Sequence, residues 1–404
     1  MKGNDVVIVS AVRTPFGKFG GVLRDFRSID LAALVIKECV QRVKVKPEEV
    51  QEVNYGLSII AEAALETDVP ARQATLHAGL PPENISLTVN RACCSSLSAL
   101  RLGYRAIRSG DLDIALAVGS DNMGRAPLIA PPNVRWGNRL GNVTLKDPLF
   151  ELGYADFAPV AKDAGDVAVE YGVSRQEQDE WALRSHQRYF EAFRQGKFAL
   201  GEELMPVEIS QKKGPAVQMV KDESPREDTT LAQLAKLPTI YGSPTVTPGN
   251  APGLCTGATA ILIMSARKAM EKGLKPLATV LSSVATAMNA RYIAAIPAPT
   301  ISLAVEKAGR KLEEVDLIEI NEAFAAMPLV ATKILSEGKE GLMKNLREKT
   351  NVNGGAIAIG HPVGASALRI TMTMMYELMR RKGGYGVAAI CGGLAQGEGI
   401  VIKV

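Results

Sequence analysis

The segment Val-Asn-Arg-Ala-Cys-Cys-Ser-Ser-Leu-Ser-Ala-Leu-Arg occupies residues 89–101, and its last four residues recur at 366–369. Residues 85–90 alternate apolar and polar side chains as a strand does, and the residues after the two cysteines have the spacing of a helix. Cys93 is therefore predicted on a strand-to-helix turn, where free backbone N–H groups and the helix dipole favour a thiolate. This setting can lower the thiol pKa, and the alternative is that Cys93 is a small residue that fills a tight turn.

The repeated Ser-Ala-Leu-Arg places Cys93 opposite His361 when the two segments are aligned. A second match, Glu-Glu-Val at 48–50 and at 313–315, has nearly the same offset, and each copy leads into an apolar run. Two copies of one unit facing each other would bring Cys93 and His361 to equivalent positions beside a pseudo-twofold axis. A cysteine beside a histidine is the nucleophile–base pair of covalent acyl transfer.

Composition limits the class of protein. The 404 residues are 47% hydrophobic and carry a net charge of +4, which suits two or three domains and gives no nucleic-acid signal. No uncharged apolar run reaches the ~18 residues of a membrane span, and we expect no signal peptide before the first strand. The five cysteines, an odd number without CxxC spacing, argue against disulfides or a zinc site. We expect a cytoplasmic protein with no membrane or nucleic-acid partner.

Alternating strands and helices over residues 1–121 predict an α/β fold with a mainly parallel sheet covered on both faces. Residues 122–248 are rich in Pro, Gly and Asn and then in charge, and we interpret them as a loop-rich insertion. Residues 1–121 with 249–272 would form one half of the protein, and 273–404 the other. The predicted strands span 6–11, 53–60, 85–90, 114–118, 258–265, 280–286, 317–320, 387–390 and 399–404; the predicted helices span 31–43, 70–78, 163–193, 300–308 and 366–380.

Three histidines are candidates for a base. His77 lies near a predicted helix C-terminus and is interpreted as structural, because a cation suits that end of the helix dipole. His186 lies in a charged helical stretch and is predicted to be a solvated surface residue. His361 lies within the glycine-rich loop 351–364, where a ligand can approach the backbone closely. It is therefore the best candidate.

Two further candidates end apolar strands. Cys391 precedes two glycines and is either a buried strand-end thiol or a group that gives and takes a proton. Asn321 either caps the following helix or holds an oxyanion, directly or through a water. Cys94 and Cys255 lack such a context and are interpreted as structural.

Together these stretches resemble the thiolase family over essentially the whole chain. The resemblance rests on four elements that stand in the order of the family, with shorter similarities at 13–17, 71–74 and 222–226. The four elements are Val-Asn-x-x-Cys-x-Ser at 89–95, Asn-Glu-Ala-Phe at 321–324, Gly-Gly-Ala-Ile-Ala-x-Gly-His-Pro-x-Gly-Ala-Ser at 354–366 and Cys-x-Gly at 391–393.

The resemblance implies a thiolase-like five-layered αβαβα fold with two pseudo-symmetric halves and a loop domain, assembled as a homodimer or homotetramer. It implies that Cys93 takes an acyl group from an acyl-CoA, that His361 activates Cys93, and that Cys391 exchanges a proton with the second acyl-CoA. The N–H groups of Cys93 and Gly393 would form one oxyanion hole, and Asn321, through a water, with His361 the other. Coenzyme A and acyl-CoA are expected as substrates, with no tightly bound cofactor and no metal.

The residues that the resemblance places against coenzyme A are Arg226, Pro252 and Phe324. Pro252 stands where the family has a serine that contacts the pantetheine arm, and it offers only its carbonyl. Ser96 replaces a common glycine. The His-Met-Gly-x-Thr-Ala-Glu stretch of small-substrate biosynthetic thiolases is absent from 157–165, so the substrate-facing loops depart from the family pattern.

The expected reaction is reversible Claisen condensation, most simply of two acetyl-CoA to acetoacetyl-CoA and CoA. One alternative is thiolysis of longer 3-ketoacyl-CoA in fatty-acid degradation. A second is acyl transfer or decarboxylative condensation, as in β-ketoacyl synthases, which lack the second cysteine; the presence of Cys391 argues against it. A third is a non-catalytic CoA-binding protein with this fold.

Overall fold

The computed structural model describes residues 3–43, 45–150, 152, 154–211 and 213–404. Its strands are β1 (Val6–Arg13), β2 (Gly17–Lys18), β3 (Glu52–Leu57), β4 (Ile85–Val89), β5 (Ile114–Asn122), β6 (Val207–Ile209), β7 (Val217–Met219), β8 (Cys255–Ser265), β9 (Ala278–Ala287), β10 (Leu317–Ile320), β11 (Tyr385–Gly392) and β12 (Gln396–Lys403).

Helices cover the faces of these strands or lie between them. They are α1 (Ser28–Gln41), α2 (Ile60–Ala63), α3 (Pro70–His77), α4 (Ser95–Ser109), α5 (Val160–Glu170), α6 (Arg175–Arg194), α7 (Leu231–Leu234), α8 (Ala266–Glu271), α9 (Pro297–Lys307), α10 (Ala326–Leu335), α11 (Glu340–Glu348), α12 (Ala356–Ile359) and α13 (Ser366–Arg380).

One large sheet organises the described residues, in the order β10-β11-β12-β9-β1-β8-β5-β3-β4, with β2 paired to β8. The two ends of the sheet, β5-β3-β4 and β10-β11, pair in parallel, whereas the strands between them pair antiparallel. The parallel pairing predicted from residues 1–121 is present, since β3 pairs in parallel with both β4 and β5, but the sheet as a whole is mostly antiparallel. Helical crossovers impose parallel pairing at the ends, but β11 and β12 form a hairpin and β8 returns in the opposite direction after the long segment that follows β5.

Three large apolar cores fill the spaces between five layers, and the central core contacts both halves of the sheet. One core joins α1 and α3 to the outer face of the β1, β3, β5 and β8 strands. A second joins α4 and α13, which lie between the two halves of the sheet. A third packs α9 and α10 on the outer face of the second half, together with α5 and part of α6. The order helix, sheet, helix, sheet, helix is the predicted αβαβα arrangement, and it places α4 and α13 against each other at the centre.

The internal repeat has a structural counterpart. β3 and β10 are each preceded by a single 3₁₀ turn, at Pro47–Glu49 and Leu312–Glu314. In both turns the last glutamate accepts the backbone N–H three residues before it, at 3.0 Å in the first copy and 2.7 Å in the second. α4 and α13 each contain 15 residues and begin shortly after Cys93 and His361 respectively. The same glutamate cap and a central helix of the same length therefore recur in both halves of the chain, as expected for two copies of one unit.

Most of the predicted elements are present within a few residues of their predicted bounds, and Leu317–Ile320 and Ser366–Arg380 agree at both ends. The helix predicted over 163–193 is instead two helices, α5 and α6, because the chain turns at Gly172, whose φ is +61°. α10 and α11 were not predicted. Within residues 122–248, which were interpreted as loop-rich, the described residues form the helices α5, α6 and α7 and the strands β6 and β7.

The proposed division into 1–121 with 249–272, 122–248 and 273–404 stays a prediction. In the described part of the chain, none of the helices combines the length and apolar character that crossing a bilayer requires.

Candidate active site

The turn that carries Cys93 is held in an uncommon backbone conformation. Ala92 has φ = +49°, a region that non-glycine residues seldom occupy. Its carbonyl accepts hydrogen bonds from the Ser58 hydroxyl at 2.7 Å and the Ser95 hydroxyl at 2.6 Å, and its N–H donates to Asn90 Oδ1 at 3.0 Å. These bonds come from three elements, so they fix the backbone immediately before the thiol despite its strain.

His361 lies in the loop between α12 and α13 and faces Cys93. Its Nδ1 is 2.6 Å from the Ser366 hydroxyl, and that hydroxyl donates to the Pro362 carbonyl at 2.9 Å. Since the hydroxyl donates its only proton to Pro362, it accepts from Nδ1–H, which leaves Nε2 as the unprotonated nitrogen. Nε2 is 3.2 Å from Cys93 Sγ. The ring is therefore oriented to take the thiol proton.

Asn321 lies at the end of β10, behind the imidazole. Its Nδ2 is 3.5 Å from His361 Nε2, and its Oδ1 is 3.5 Å from an Arg369 guanidinium nitrogen. The next long helix, α10, begins at Ala326, so Asn321 does not cap it. Arg369 thus turns the amide so that its N–H groups point towards His361, and Asn321 is a hydrogen-bond donor on that side of the site.

Cys391 is the next-to-last residue of β11 and Gly393 directly follows that strand, and both line one cavity together with Cys93 and His361. The cavity has a volume of about 260 Å³ and is mostly apolar. The two sulfurs and the imidazole, which lie far apart in the sequence, therefore converge on a single cavity. A group attached to Cys93 Sγ would face the second thiol.

Burial sets the protonation states at rest. Burial first, and then the Arg369 charge, lowers the pKa of His361 to about 3, so the imidazole is neutral at physiological pH. Burial raises the pKa of the Cys391 thiol to about 12. Burial, and next the neighbouring Cys391, raises the pKa of Cys93 well above its usual value. The resting site holds two thiols and a neutral base.

The lowered pKa expected for Cys93 is therefore wrong. The N–H groups at the start of α4 are already used, since Cys94 N–H donates to the Arg91 carbonyl at 3.1 Å and Ser95 N–H donates to the Ala92 carbonyl at 3.0 Å. These groups do not stabilise a thiolate at Sγ, and desolvation decides the direction of the shift.

The raised pKa predicts the reactivity of the free protein towards iodoacetamide. Because only the thiolate reacts, the alkylation rate at Cys93 will rise about tenfold per pH unit between about pH 6 and about pH 9. Intact-mass kinetics measure the rate, and peptide mapping assigns the adduct to Cys93 rather than Cys391. If the alkylation rate instead reaches its plateau before the pH has risen to about 7.5, the thiol pKa is lowered.

The predicted coenzyme A contacts are only partly brought together. Pro252 and Phe324 line the cavity. Arg226 is exposed and lies outside the cavity lining, so its role stays a prediction.

The prediction that His186 is a surface residue is wrong: it is buried, and its Nδ1 accepts the Arg226 backbone N–H at 3.2 Å. Burial, and then Arg226, lowers the pKa of His186 to about 4. This neutral histidine fastens the Arg226 segment to α6.

The remaining predicted groups lie where a structural role suits them. His77, at the end of α3, is 3.7 Å from Asp30. Cys94 is fully buried between α4 and β11, with Sγ 3.7 Å from the Ile390 carbonyl. Cys255 is fully buried at the start of β8.

Asp121 and Tyr154 were not singled out from the sequence. Asp121 is a buried carboxylate at the end of β5 that accepts backbone N–H groups from Ser58 at 3.1 Å, from Ile59 at 2.8 Å and from Gly364. It thereby ties the wall of the cavity to the loop that carries His361. The sequence pattern that could have identified Asp121 is a carboxylate at the end of an apolar strand. Tyr154 lines the cavity from a loop that has no distinguishing pattern.

A cysteine beside a neutral imidazole, with a second thiol in the same cavity, can carry an acyl group as a thioester and move a proton at a neighbouring carbon. These are the catalytic groups that an acyltransferase requires. Models of the N-terminal and C-terminal thiolase domains match residues 6–267 and 274–404, and the chain belongs to the thiolase family.

Relatives with thiolase names match this chain along almost its full length. The chain is 40% identical to the acetyl-CoA acetyltransferase of Cupriavidus necator, with 99% of each chain covered. It is 38% identical to human mitochondrial 3-ketoacyl-CoA thiolase, with 98% of each covered. The crystal structure of human mitochondrial 3-ketoacyl-CoA thiolase in complex with CoA superposes with a TM-score of 0.91 at 37% identity, covering 99% of this chain and 98% of that chain. The protein is an acyltransferase of this family.

Proposed function

We propose that the protein catalyses reversible Claisen condensation of two acetyl-CoA to acetoacetyl-CoA and CoA through an acetyl-Cys93 intermediate. The observation that carries the proposal is the 3.2 Å distance between Cys93 Sγ and His361 Nε2 in a cavity that Cys391 also lines. In the reverse direction the same residues cleave a 3-ketoacyl-CoA with CoA.

The first half-reaction transfers the acetyl group. His361 Nε2 takes the proton of Cys93 as Sγ attacks the thioester carbonyl, and the CoA sulfur leaves and takes that proton from the imidazolium. Because burial opposes both a standing thiolate and a standing imidazolium, the proton moves as the carbon–sulfur bond forms. The products are acetyl-Cys93, free CoA and a neutral imidazole.

The second half-reaction forms the carbon–carbon bond. Cys391 passes its proton to the neutral His361 and takes a proton from the α-carbon of the second acetyl-CoA. The carbanion then attacks the carbonyl of acetyl-Cys93, and the Cys93 sulfur leaves and regains a proton from His361. A thiol with a pKa of about 12 is a strong base once deprotonated, which suits a weakly acidic C–H group.

Charge on the thioester oxygens needs donors at both stages. For the nucleophilic enolate we assign two donors, His361 and Asn321, of which Asn321 acts through a bound water. Arg369 orients the Asn321 amide. For the tetrahedral intermediate on Cys93 we assign the N–H groups of Cys93 and Gly393. Both sets border the cavity or lie directly behind the imidazole.

For coenzyme A we propose Pro252 and Phe324 as contacts of the pantetheine arm and the exposed Arg226 as a partner of its phosphates. No tightly bound cofactor enters the scheme. All five cysteines are free in the described structure, which supports action in a reducing compartment such as the cytoplasm.

The direct test is thiolysis. The purified protein is incubated with acetoacetyl-CoA, with and without CoA, and acetyl-CoA is quantified by chromatography. The proposal requires acetyl-CoA that appears only when CoA is present, together with an acetyl adduct on Cys93 after incubation with acetyl-CoA alone. A protein that binds CoA but yields neither result would be the non-catalytic alternative.

We further propose that the protein is a homo-oligomer built on the edge strand β4. β4 pairs only with β3 in the described sheet, and its Ile85 and Leu87 side chains are 63% and 48% exposed. An open edge with exposed apolar side chains is a template for pairing, and a second copy of the chain offers the same edge in the opposite direction. β4 leads directly into the Cys93 turn, so pairing there would also brace the nucleophile.

Leu87→Glu will convert the oligomer to monomers. The carboxylate would be buried without a partner at the interface, which weakens association by roughly 100-fold or more. Sedimentation velocity over a range of protein concentrations measures the effect. Met270→Glu is the control, because Met270 is also apolar and at least as exposed as Leu87 but lies on α8. Equal dissociation in both variants, or no dissociation with Leu87→Glu, would exclude β4 as the interface.

A further inference from the structure

Tyr154 separates the catalytic cavity from a second, outer groove. Its ring lines both spaces. The tip of the ring lies against Gly393, where an added Cβ would overlap the tyrosine hydroxyl. Burial, and next Cys93 and then Cys391, raises the pKa of Tyr154, so the hydroxyl stays protonated beside the two thiols. The ring therefore forms the part of the cavity wall that lies beside Gly393.

The outer groove has a volume of about 510 Å³ and begins behind the Tyr154 ring. Its walls include Leu145, Phe150 and Phe157, which are 48%, 63% and 52% exposed. Phe150 packs edge-on against Tyr241, with ring centroids 5.6 Å apart, so the groove has a braced apolar wall. Three large apolar side chains lining one concave surface suit a flexible hydrocarbon chain.

We propose that Tyr154 determines which acyl chains the protein accepts: its ring closes the catalytic cavity to chains longer than a few carbons, and the outer groove receives the chain only when this ring is removed. The proposal rests on the proposed function, because the chain in question is the acyl group of a 3-ketoacyl-CoA attached to, or delivered to, Cys93.

Packing of the ring carries this role, and the hydroxyl does not. The Tyr154 hydroxyl makes no hydrogen bond with the residues that the structure describes, whereas the ring tip is in contact with Gly393. Phenylalanine would keep the wall, and alanine would join the two spaces. One methylene in an apolar pocket changes kcat/KM by roughly 10- to 200-fold, so opening or closing the wall will have a large effect on chain-length preference.

The experiment measures CoA-dependent thiolysis of 3-ketoacyl-CoAs with four, eight and twelve carbons by the parent, Tyr154→Ala and Tyr154→Phe. We expect the parent and Tyr154→Phe to prefer the four-carbon substrate. Tyr154→Ala will shift the ratio of eight-carbon to four-carbon kcat/KM by about tenfold or more towards the longer chain. The double variant Tyr154→Ala with Ala155→Trp is the matched control: Ala155 lines only the outer groove, so the indole refills it and reverses the gain.

Acylation of Cys93 by octanoyl-CoA, followed by intact mass, gives an independent readout in the same variants. A parent that cleaves the twelve-carbon substrate as well as the four-carbon one overturns the inference. So does a Tyr154→Ala variant whose activity changes equally for all lengths. A parent that neither cleaves acetoacetyl-CoA nor forms acetyl-Cys93 overturns the proposed function instead, so the two failures are distinguishable.

Discussion

Cys93→Ala will form no acyl-enzyme and will lose condensation and thiolysis by roughly 10⁴-fold or more, because no other group at that position can accept the acyl carbon. The 3.2 Å contact between Sγ and His361 Nε2 is the only described pairing of a cavity thiol with a base. Intact mass after incubation with acetyl-CoA measures the adduct, and the coupled appearance of acetyl-CoA from acetoacetyl-CoA measures turnover.

Cys94→Ala is the matched control for this variant. Cys94 is the adjacent residue and is fully buried, but its sulfur faces the Ile390 carbonyl and not the cavity. We expect it to retain the acetyl adduct, with any loss appearing as lower stability to heat. An acetyl adduct of undiminished yield in Cys93→Ala would place the nucleophile elsewhere.

Cys391→Ala will retain the acetyl adduct on Cys93 but lose condensation by about 10²- to 10⁴-fold, the usual contribution of a positioned proton-transfer group. His361 and Cys93 suffice for the first half-reaction, whereas removal of the α-proton requires the second thiol. Rapid quench with acetyl-CoA separates the two half-reactions, since CoA release reports acylation and acetoacetyl-CoA reports condensation.

Cys39→Ala controls for the loss of one buried thiol, because Cys39 lies on the buried face of α1, away from the cavity. It is expected to run both half-reactions at the parental rate. Condensation at the parental rate by Cys391→Ala would show that the assignment of roles to the two thiols is wrong. Loss of acylation to the same degree as condensation would give Cys391 a part in the first step.

Much of the fold could be predicted from local patterns. The alternation over 85–90, the helical spacing after the two cysteines and the second Ser-Ala-Leu-Arg gave a strand, a turn and two related helices, and the structure contains them as β4, α4 and α13. Strand direction was not predictable in the same way. Whether β8 runs parallel or antiparallel to β5 depends on the path of the long segment between them, and no local pattern encodes that path.

Side-chain environment was the least predictable property. His186 lies in a stretch of charged residues, yet the face of α6 on which it stands packs against the 222–226 segment and is buried. Cys93 has the neighbours in sequence that favour a thiolate, yet desolvation in the folded cavity raises its pKa. Burial and solvation depend on residues distant in the chain. Packing therefore decided both that His186 is buried and that the pKa of Cys93 is raised.

The sequence by itself determined the family, the repeat and the identity of the candidate groups at 93, 321, 361 and 391, because backbone turns and reactive side chains are encoded locally. Only the tertiary structure decided that Cys93, His361 and Cys391 share a cavity, that the imidazole presents Nε2 to the Cys93 thiol, and that Tyr154 lines both this cavity and an outer groove. Those properties arise where two halves of the chain and an intervening loop pack together, and the contacts that produce them join residues separated by tens to hundreds of positions.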